Sequence, residues 1–369
     1  MKLILAQLGR LGVALLALYG VLLALAWLLV PRQPASQRID TAHAAETLYI
    51  TEPKYVFFAR ERLRSVAPKL LLLGASNTMA GLKQRELEPL LPELEVHNLA
   101  VGGGNISEIS QVAELVREVQ DPAARRQTTY VIGLWYGVFA SDRARWHTPD
   151  RNAGDTDIDI ERYRYGFYRR TPQGAAPLLP PRYLATEETL VLPYLALDRA
   201  ARDLTVSLRA RLSGKAPKLS DEQRNARIIG VEEQQKYLAF WRDYMGGVPR
   251  LSDEQFQELE RLVEAIVADG SRVVLVDLPI PSWHTRASEL AVDYRERLQR
   301  ALPALTALPG VTLLSLAGES NDEDFSDEVH PKPRVSPRWA ERLANALRAA
   351  HAVPTDVSTN LSTSRNDHG

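Results

Sequence analysis

Three short segments of this 369-residue chain carry side chains suited to acyl chemistry. Gly74-Ala75-Ser76-Asn77-Thr78 follows a short apolar run. A serine at the end of such a strand can present its hydroxyl as a nucleophile, with loop amides and the next helix's N-terminus facing the negative charge that develops. Taken alone, Ser76 reads more readily as a helix N-cap. Asn98-Leu99-Ala100-Val101-Gly102-Gly103-Gly104-Asn105 holds three glycines that let backbone approach a ligand and turn amide N–H groups toward an anion; alone it reads as a flexible turn. In Asp327-Glu328-Val329-His330-Pro331, an acid three residues before a histidine can hold one ring nitrogen and leave the other free to take a proton from a serine. His330 has this arrangement; His284, after a separate apolar run, is the runner-up among seven histidines. A lone histidine is usually structural, and residues 321–328 taken alone form a solvated acidic loop. Neither bland reading accounts for all three segments together.

The elements that must position them follow from hydrophobic pattern. Residues 69–74 (KLLLLG) are an apolar run closed by glycine, as a strand buried on both faces requires. Residues 82–91 suggest a helix, 94–99 a second strand, 107–119 a helix of alternating apolar and charged residues, and 130–135 a third strand. Ser252-Asp253-Glu254-Gln255 has capping-box spacing, opening a helix that runs to about Ala268 and closes at Asp269-Gly270. RVVLVDL at 272–278 is a buried strand, 287–302 a helix, 311–316 a last strand, and Ser336-Pro337 supplies the N-cap and first-turn proline of a final helix to about Ala350. Alternating strands and helices predict an α/β fold, a parallel sheet covered on both faces. In open sheets of this kind ligands bind at the carboxyl ends of the strands, where all three segments fall.

Residues 143–250 break the rhythm. They contain the Tyr- and Arg-rich stretch 162–170, a Pro-rich segment and helical stretches, and read as an inserted helical lid or cap. The stretch suits a glycan groove, since Arg binds acidic groups, or equally a solvated helix face or a surface against lipid headgroups. The domain reading is an anchor over 1–31, a tether and lead-in over 32–65, an α/β domain from 66–142 and 251–351, the insertion between them, and a disordered tail over 352–369.

Of the first 30 residues 24 are apolar, and 20 consecutive residues from Leu11 to Val30 carry no charge. A helix of that length rises about 30 Å, the thickness of the hydrocarbon layer. Lys2, Arg10 and the amino terminus on one side, with Trp27 as an interfacial anchor on the other, orient the N-terminus to the cytoplasm and the remainder outside; Arg32 and Arg38 oppose that vote. A cleavage signal at Ala24-Leu25-Ala26 is the alternative. With 45 Lys+Arg against 46 Asp+Glu, no global basic field favours nucleic acid. The chain has no cysteine, which excludes disulfides, thiolate metal sites and a cysteine nucleophile. No zinc-type His/carboxylate spacing occurs, and no cofactor is called for.

These segments resemble the SGNH/GDSL hydrolase superfamily over about 69–140 and 254–350. The resemblance implies a flavodoxin-like three-layer α/β/α sandwich in which Ser76 is the nucleophile, Gly103 the oxyanion glycine of an Asn-x-x-x-x-Gly pattern beginning at Asn98, Asp327 the orienting acid and His330 the base. Gly-Ala-Ser replaces the usual Gly-Asp-Ser. The third block, normally Gly-x-Asn-Asp, falls at Gly133-Leu134-Trp135-Tyr136-Gly137 without an asparagine. That leaves Asn77 and Asn105 as candidates for the missing oxyanion donor, and Trp135 and Tyr136 as candidate substrate contacts. Losing one such donor typically costs about a hundredfold or more in rate. With the anchor, the chain is similar to envelope proteins that add or remove acyl groups on bacterial surface polysaccharides. The implied function is a serine esterase or O-acyltransferase at the outer face of the cytoplasmic membrane, whose partners are an acylated glycan and polysaccharide-synthesis proteins. The alternative is a non-catalytic glycan-binding or scaffold protein.

Overall fold

The computed structural model describes residues 2–29, 53–141, 168–171, 174–177, 183–213 and 219–352. Most of the Tyr/Arg stretch, the tether and the C-terminal tail lie outside them.

The centre is a five-stranded, all-parallel sheet. Its strands are β1 (Lys69–Leu73), β2 (Glu95–Asn98) and β3 (Thr128–Leu134), then β6 (Arg272–Asp277) and β7 (Val311–Ser315). The order is β2-β1-β3-β6-β7. Between β3 and β6 the chain forms a two-stranded antiparallel hairpin, β4 (Tyr168–Thr171) with β5 (Gly174–Pro177), and the helices Leu184–Ser213, Asp221–Ala226 and Val231–Tyr244.

Successive side chains of a strand point to opposite faces, and the apolar runs divide accordingly. Leu71, Leu73, Tyr130, Ile132, Val273 and Leu275 face a core shared with the helices Ile106–Val119, Asp253–Ala268 and Glu289–Thr306. Leu70, Leu72, Val131, Val274 and Val276 face a second core filled by Trp339, Leu343 and Leu347 of the helix Ser336–Ala352. β1 and β3 are buried along their whole lengths, which is why they read as continuous apolar runs without alternation.

The chain turns outward from β1 in opposite directions toward β2 and β3, so the carboxyl ends of β1 and β3 flank the crevice at a topological switch point. Two details depart from the local sequence signals. Residues 82–91 form no single helix: within them only Gln84–Leu87 is helical, and a separate helix, Ser76–Gly81, precedes it. The capping box at Ser252 does not close, because the Gln255 amide reaches across to Ser107, accepting from its backbone N–H at 3.0 Å and donating to its Oγ at 2.8 Å. A closed box exists instead at Ser220 and Gln223.

The N-terminal helix Lys2–Leu29 is long and apolar enough to cross a membrane, with a mean hydropathy of 2.4 over its apolar window. Its leucines point outward along most of its length, and Tyr19 Oη donates to the Leu190 carbonyl of the helix Leu184–Ser213.

Candidate functional site

The loop after β1 must leave the sheet abruptly and begin a helix within two residues. Gly74 does so with φ +144°, and a side chain there would run into Thr78 Oγ1 and the Gly133 carbonyl. This close crossing of β1, β3 and the helix Ser76–Gly81 sets Ser76 at the helix's first position, half-buried at the switch point. The loop after β2 is tied to the same spot: Val101 N donates to the Gly74 carbonyl at 2.8 Å. Asn98 Oδ1 accepts from Ala100 N at 3.1 Å and shapes the turn. Gly103, with φ +70° and open space where a Cβ would lie, is exposed two residues beyond that tie.

On the other side, residues 324–332 fold back on themselves through a bridge between Phe325 and Pro331 and a hydrogen bond from Lys332 N to the Asp324 carbonyl. Asp327 sits in the turn. Its Oδ1 accepts from the backbone N–H groups of Val329 (3.0 Å) and His330 (2.8 Å), and both carboxylate oxygens lie 2.9 Å from His330 Nδ1. The imidazole is thereby fixed with Nδ1–H toward Asp327, and Nε2 lies 2.8 Å from Ser76 Oγ, 254 residues away in sequence.

Electrostatics follow from this geometry. Burial pulls the His330 pKa down, but the hydrogen bond and charge of Asp327, with a further contribution from Glu328, outweigh it and leave the pKa above its ordinary value. Burial resists ionisation of Asp327, yet the hydrogen bond and charge of His330 and the two backbone amides prevail, holding the carboxyl below its ordinary range. The Glu328 carboxyl is raised by burial and by its neighbour Asp327. Ser76, His330 and Asp327 therefore form a chain along which a proton can pass from Oγ to Nε2 while an ionised carboxylate faces the imidazolium that results.

The remaining sequence-nominated residues have other surroundings. Asn105 caps the helix Ile106–Val119: its Oδ1 accepts from Glu108 N at 3.2 Å, and its Nδ2 donates to the Ala140 carbonyl at 3.1 Å. Asn77 is buried beside Ser76, with Oδ1 accepting from Thr78 N at 2.9 Å and Nδ2 without a hydrogen-bond partner. Trp135 and Tyr136 are 4% and 1% exposed, so they belong to the core rather than to an open groove. Trp135 packs edge-on against Trp241, and its Nε1 is buried without a partner.

Tyr136 leads to a residue that local spacing ranked second. The Tyr136 hydroxyl lies 2.6 Å from His284 Nε2, and His284 Nδ1 lies 2.8 Å from the Glu328 carbonyl oxygen. A carbonyl only accepts, so Nδ1 carries the proton and Nε2 accepts from the tyrosine. His284 is fully buried, and burial, only partly offset by its bond to the Glu328 carbonyl, lowers its pKa to about 4. It is a neutral strut joining the end of β3 to the turn that carries Asp327 and His330, not a second base. Nothing local in the sequence signals this, since Tyr136 and His284 are 148 residues apart. Among the described residues no group of three His, Cys, Asp or Glu side chains could hold a metal ion.

No protein-family model matches this chain, and a search of curated proteins finds no significant match.

Proposed function

We propose that this chain is a membrane-tethered serine esterase or O-acyltransferase of the SGNH/GDSL type, acting on acyl esters of a surface glycan. The observation that carries the reading is the continuous hydrogen-bonded chain Ser76–His330–Asp327 at the switch point of a parallel sheet. Counted within the sheet, the strand order is 2-1-3-4-5, the order of flavodoxin-like sandwiches, which the SGNH reading requires.

In the mechanism, His330 Nε2 takes the Ser76 proton as Oγ attacks the ester carbonyl carbon. The oxyanion is held by the backbone amides of Ser76 and Gly103. Collapse breaks the carbonyl–alkoxy bond, and the imidazolium returns its proton to the departing alcohol, leaving an acyl-serine. Water or a second hydroxyl then gives its proton to His330 and attacks the acyl carbon, and the proton passes back to Ser76. Water yields an ester hydrolase; a sugar hydroxyl yields a transferase. The apolar helix Lys2–Leu29 holds the domain at the cytoplasmic membrane, N-terminus inside, and the helices between β4/β5 and β6 form a lid beside the site.

A second reading, a non-catalytic glycan-binding or scaffold protein, is favoured by the Asn105 amide being committed to Ala140 and by Trp135 standing where a third oxyanion donor would be. Turnover of short-chain p-nitrophenyl esters by the detergent-solubilised chain separates the two. The enzyme reading expects hydrolysis abolished by Ser76→Ala and by His330→Ala. Hydrolysis that survives both substitutions, or none in the native chain, refutes it.

A further inference from the structure

The helix Leu184–Ser213 is apolar on two opposite sides, and only one of them is covered. Leu192 and Leu195 are buried in the same core as Leu71 and Leu73 of β1 and Tyr130 and Ile132 of β3. Leu190, Leu197, Leu204, Leu208 and Leu212 are instead between 46% and 87% exposed. At 3.6 residues per turn these five leucines fall within about 40° of one line along the helix, on the side away from the buried pair. Single apolar residues are ordinary on a surface; a continuous row of this length marks a face built for an apolar partner. The ion pairs of the helix are kept off the row. Asp198 with Arg202 (2.9 Å) and Arg199 with Asp203 (3.0 Å) all lie at least about 80° around from its line. Arg209 and Arg211 flank the last leucines on either side, where guanidinium groups can reach lipid phosphates while their stems lie along apolar surface.

The helix's neighbour in the fold identifies what covers the row. Leu184–Ser213 packs against the apolar helix Lys2–Leu29. Tyr19 Oη donates to the Leu190 carbonyl, and Ala26 is buried in the same core as Leu192 and Leu195. Tyr19 stands near the middle of the uncharged run Leu11–Val30, about 15 Å of helix before the anchor's end at Leu29. A helix packed at that point starts at the depth of the hydrocarbon. No charged residue lies between Glu188 and Asp198, about 14 Å of helix, close to the roughly 15 Å of hydrocarbon in one leaflet. A helical backbone is the form that hydrocarbon tolerates, and Pro193 is accepted there more readily than in a soluble helix. A second copy of the chain or another protein could cover leucines, but neither accounts for a row that begins against the anchor at mid-membrane depth.

We infer that the leucine row of the helix Leu184–Ser213 is a second membrane contact, seated in the leaflet from which the anchor's carboxyl-terminal end emerges. Leu190 and Leu197 enter the hydrocarbon, and Leu204, Leu208 and Leu212 lie along its interface. The inference rests on the reading of Lys2–Leu29 as a membrane anchor. Two attachments fix the tilt of the domain, which then does not swing freely on its tether. The chain from Ser213 to Asp221 spans at most about 28 Å. The helix that it reaches, Asp221–Ala226, carries Asn225, whose Oδ1 accepts from Arg334 N, four residues beyond His330. The membrane contact therefore constrains where the catalytic turn stands above the bilayer.

The lack of cysteine makes the test direct, because a single introduced thiol carries the only label. The full chain is reconstituted in nanodiscs of phosphatidylethanolamine and phosphatidylglycerol, with one nitroxide per variant. The row is sampled by Leu197→Cys, Leu204→Cys and Leu208→Cys, the opposite exposed side of the helix by Val206→Cys, and the anchor by Leu16→Cys. Power saturation compares collisions with oxygen, which concentrates in hydrocarbon, and with a neutral nickel chelate, which stays in water. The ratio of oxygen to nickel collisions is expected above one at the three row positions and at Leu16, and below one at Val206. A ratio below one along the row while Leu16 stays above one overturns the inference and leaves the anchor reading standing. Row labels shielded from both reagents mean that protein covers the leucines, and overturn it too, as does a ratio above one at Val206, which would immerse the whole helix. A ratio below one at Leu16 refutes the anchor reading, and the inference falls with it.

Discussion

Lowering the pH from 7 to 4 should cost this protein about 3 kcal/mol of stability through one side chain, His284. Its imidazole is fully buried with a pKa of about 4 against an ordinary 6.5. Between those values the unfolded chain binds a proton that the folded chain refuses, so stability rises with pH across the window. The contribution is complete above pH 6.5 and is lost as pH falls toward 4. A gap of about 2.5 pH units at about 1.4 kcal/mol each gives the figure. The physical event is protonation of Nε2, which ends its acceptance from the Tyr136 hydroxyl and places a charge on a fully buried ring. The assay is urea unfolding of the detergent-solubilised chain followed by tryptophan fluorescence, at pH 7, 6, 5 and 4, for the native sequence and for His284→Gln. Subtracting the two profiles cancels the carboxylates and the other histidines. The native chain's advantage over the variant should shrink by about 3 kcal/mol from pH 7 to pH 4, with a slope near one proton. A difference that stays flat with pH refutes the assignment of His284 as a buried neutral strut.

Further outcomes follow from the same geometry. Asp327→Asn removes the hydrogen bond and charge that lift His330, so ester turnover should fall by about two orders of magnitude or more. The midpoint of its pH–rate profile should move from above 6.5 in the native chain to below it; an unmoved midpoint argues against the pairing. Tyr136→Phe leaves a buried imidazole nitrogen without its donor and should cost about 1–3 kcal/mol in unfolding free energy. As the Glu328 clamp loosens, it should lower kcat more than it changes KM. Gly74→Ala places a methyl about 2.1 Å from Thr78 Oγ1 at a φ of +144° and should destabilise by about 2 kcal/mol or more by thermal melting. A loss under about 0.5 kcal/mol would contradict the tight crossing of β1 and β3.

How much of this was legible from the residues themselves depended on the range of the interaction. β1 and β6 announce themselves because both faces are buried, so apolar residues run without interruption through Leu70–Leu73 and Val273–Val276. Asp327 and His330 are legible because a three-residue turn fixes their pairing locally. That Ser76 meets His330 depends on sheet order, which alternating elements suggest but short spacing cannot supply. The Asn105 and Gln255 amides were misread because each serves a distant backbone or side-chain partner, Ala140 and Ser107, whereas sequence spacing weighs only nearby ones. Trp135 and Tyr136 look like exposed aromatics at a strand end until Trp241, from the segment between β5 and β6, closes over them.

The central claim, that Ser76 is a nucleophile activated by His330, is tested most directly by treating the solubilised chain with an alkyl fluorophosphonate and locating the adduct by peptide mass spectrometry. The account predicts one modification, on Ser76, forming faster as pH rises through the His330 titration and absent in His330→Ala. No adduct in the native chain, under conditions that label a known serine esterase, would contradict it, as would labelling of Ser76 that proceeds equally well without His330.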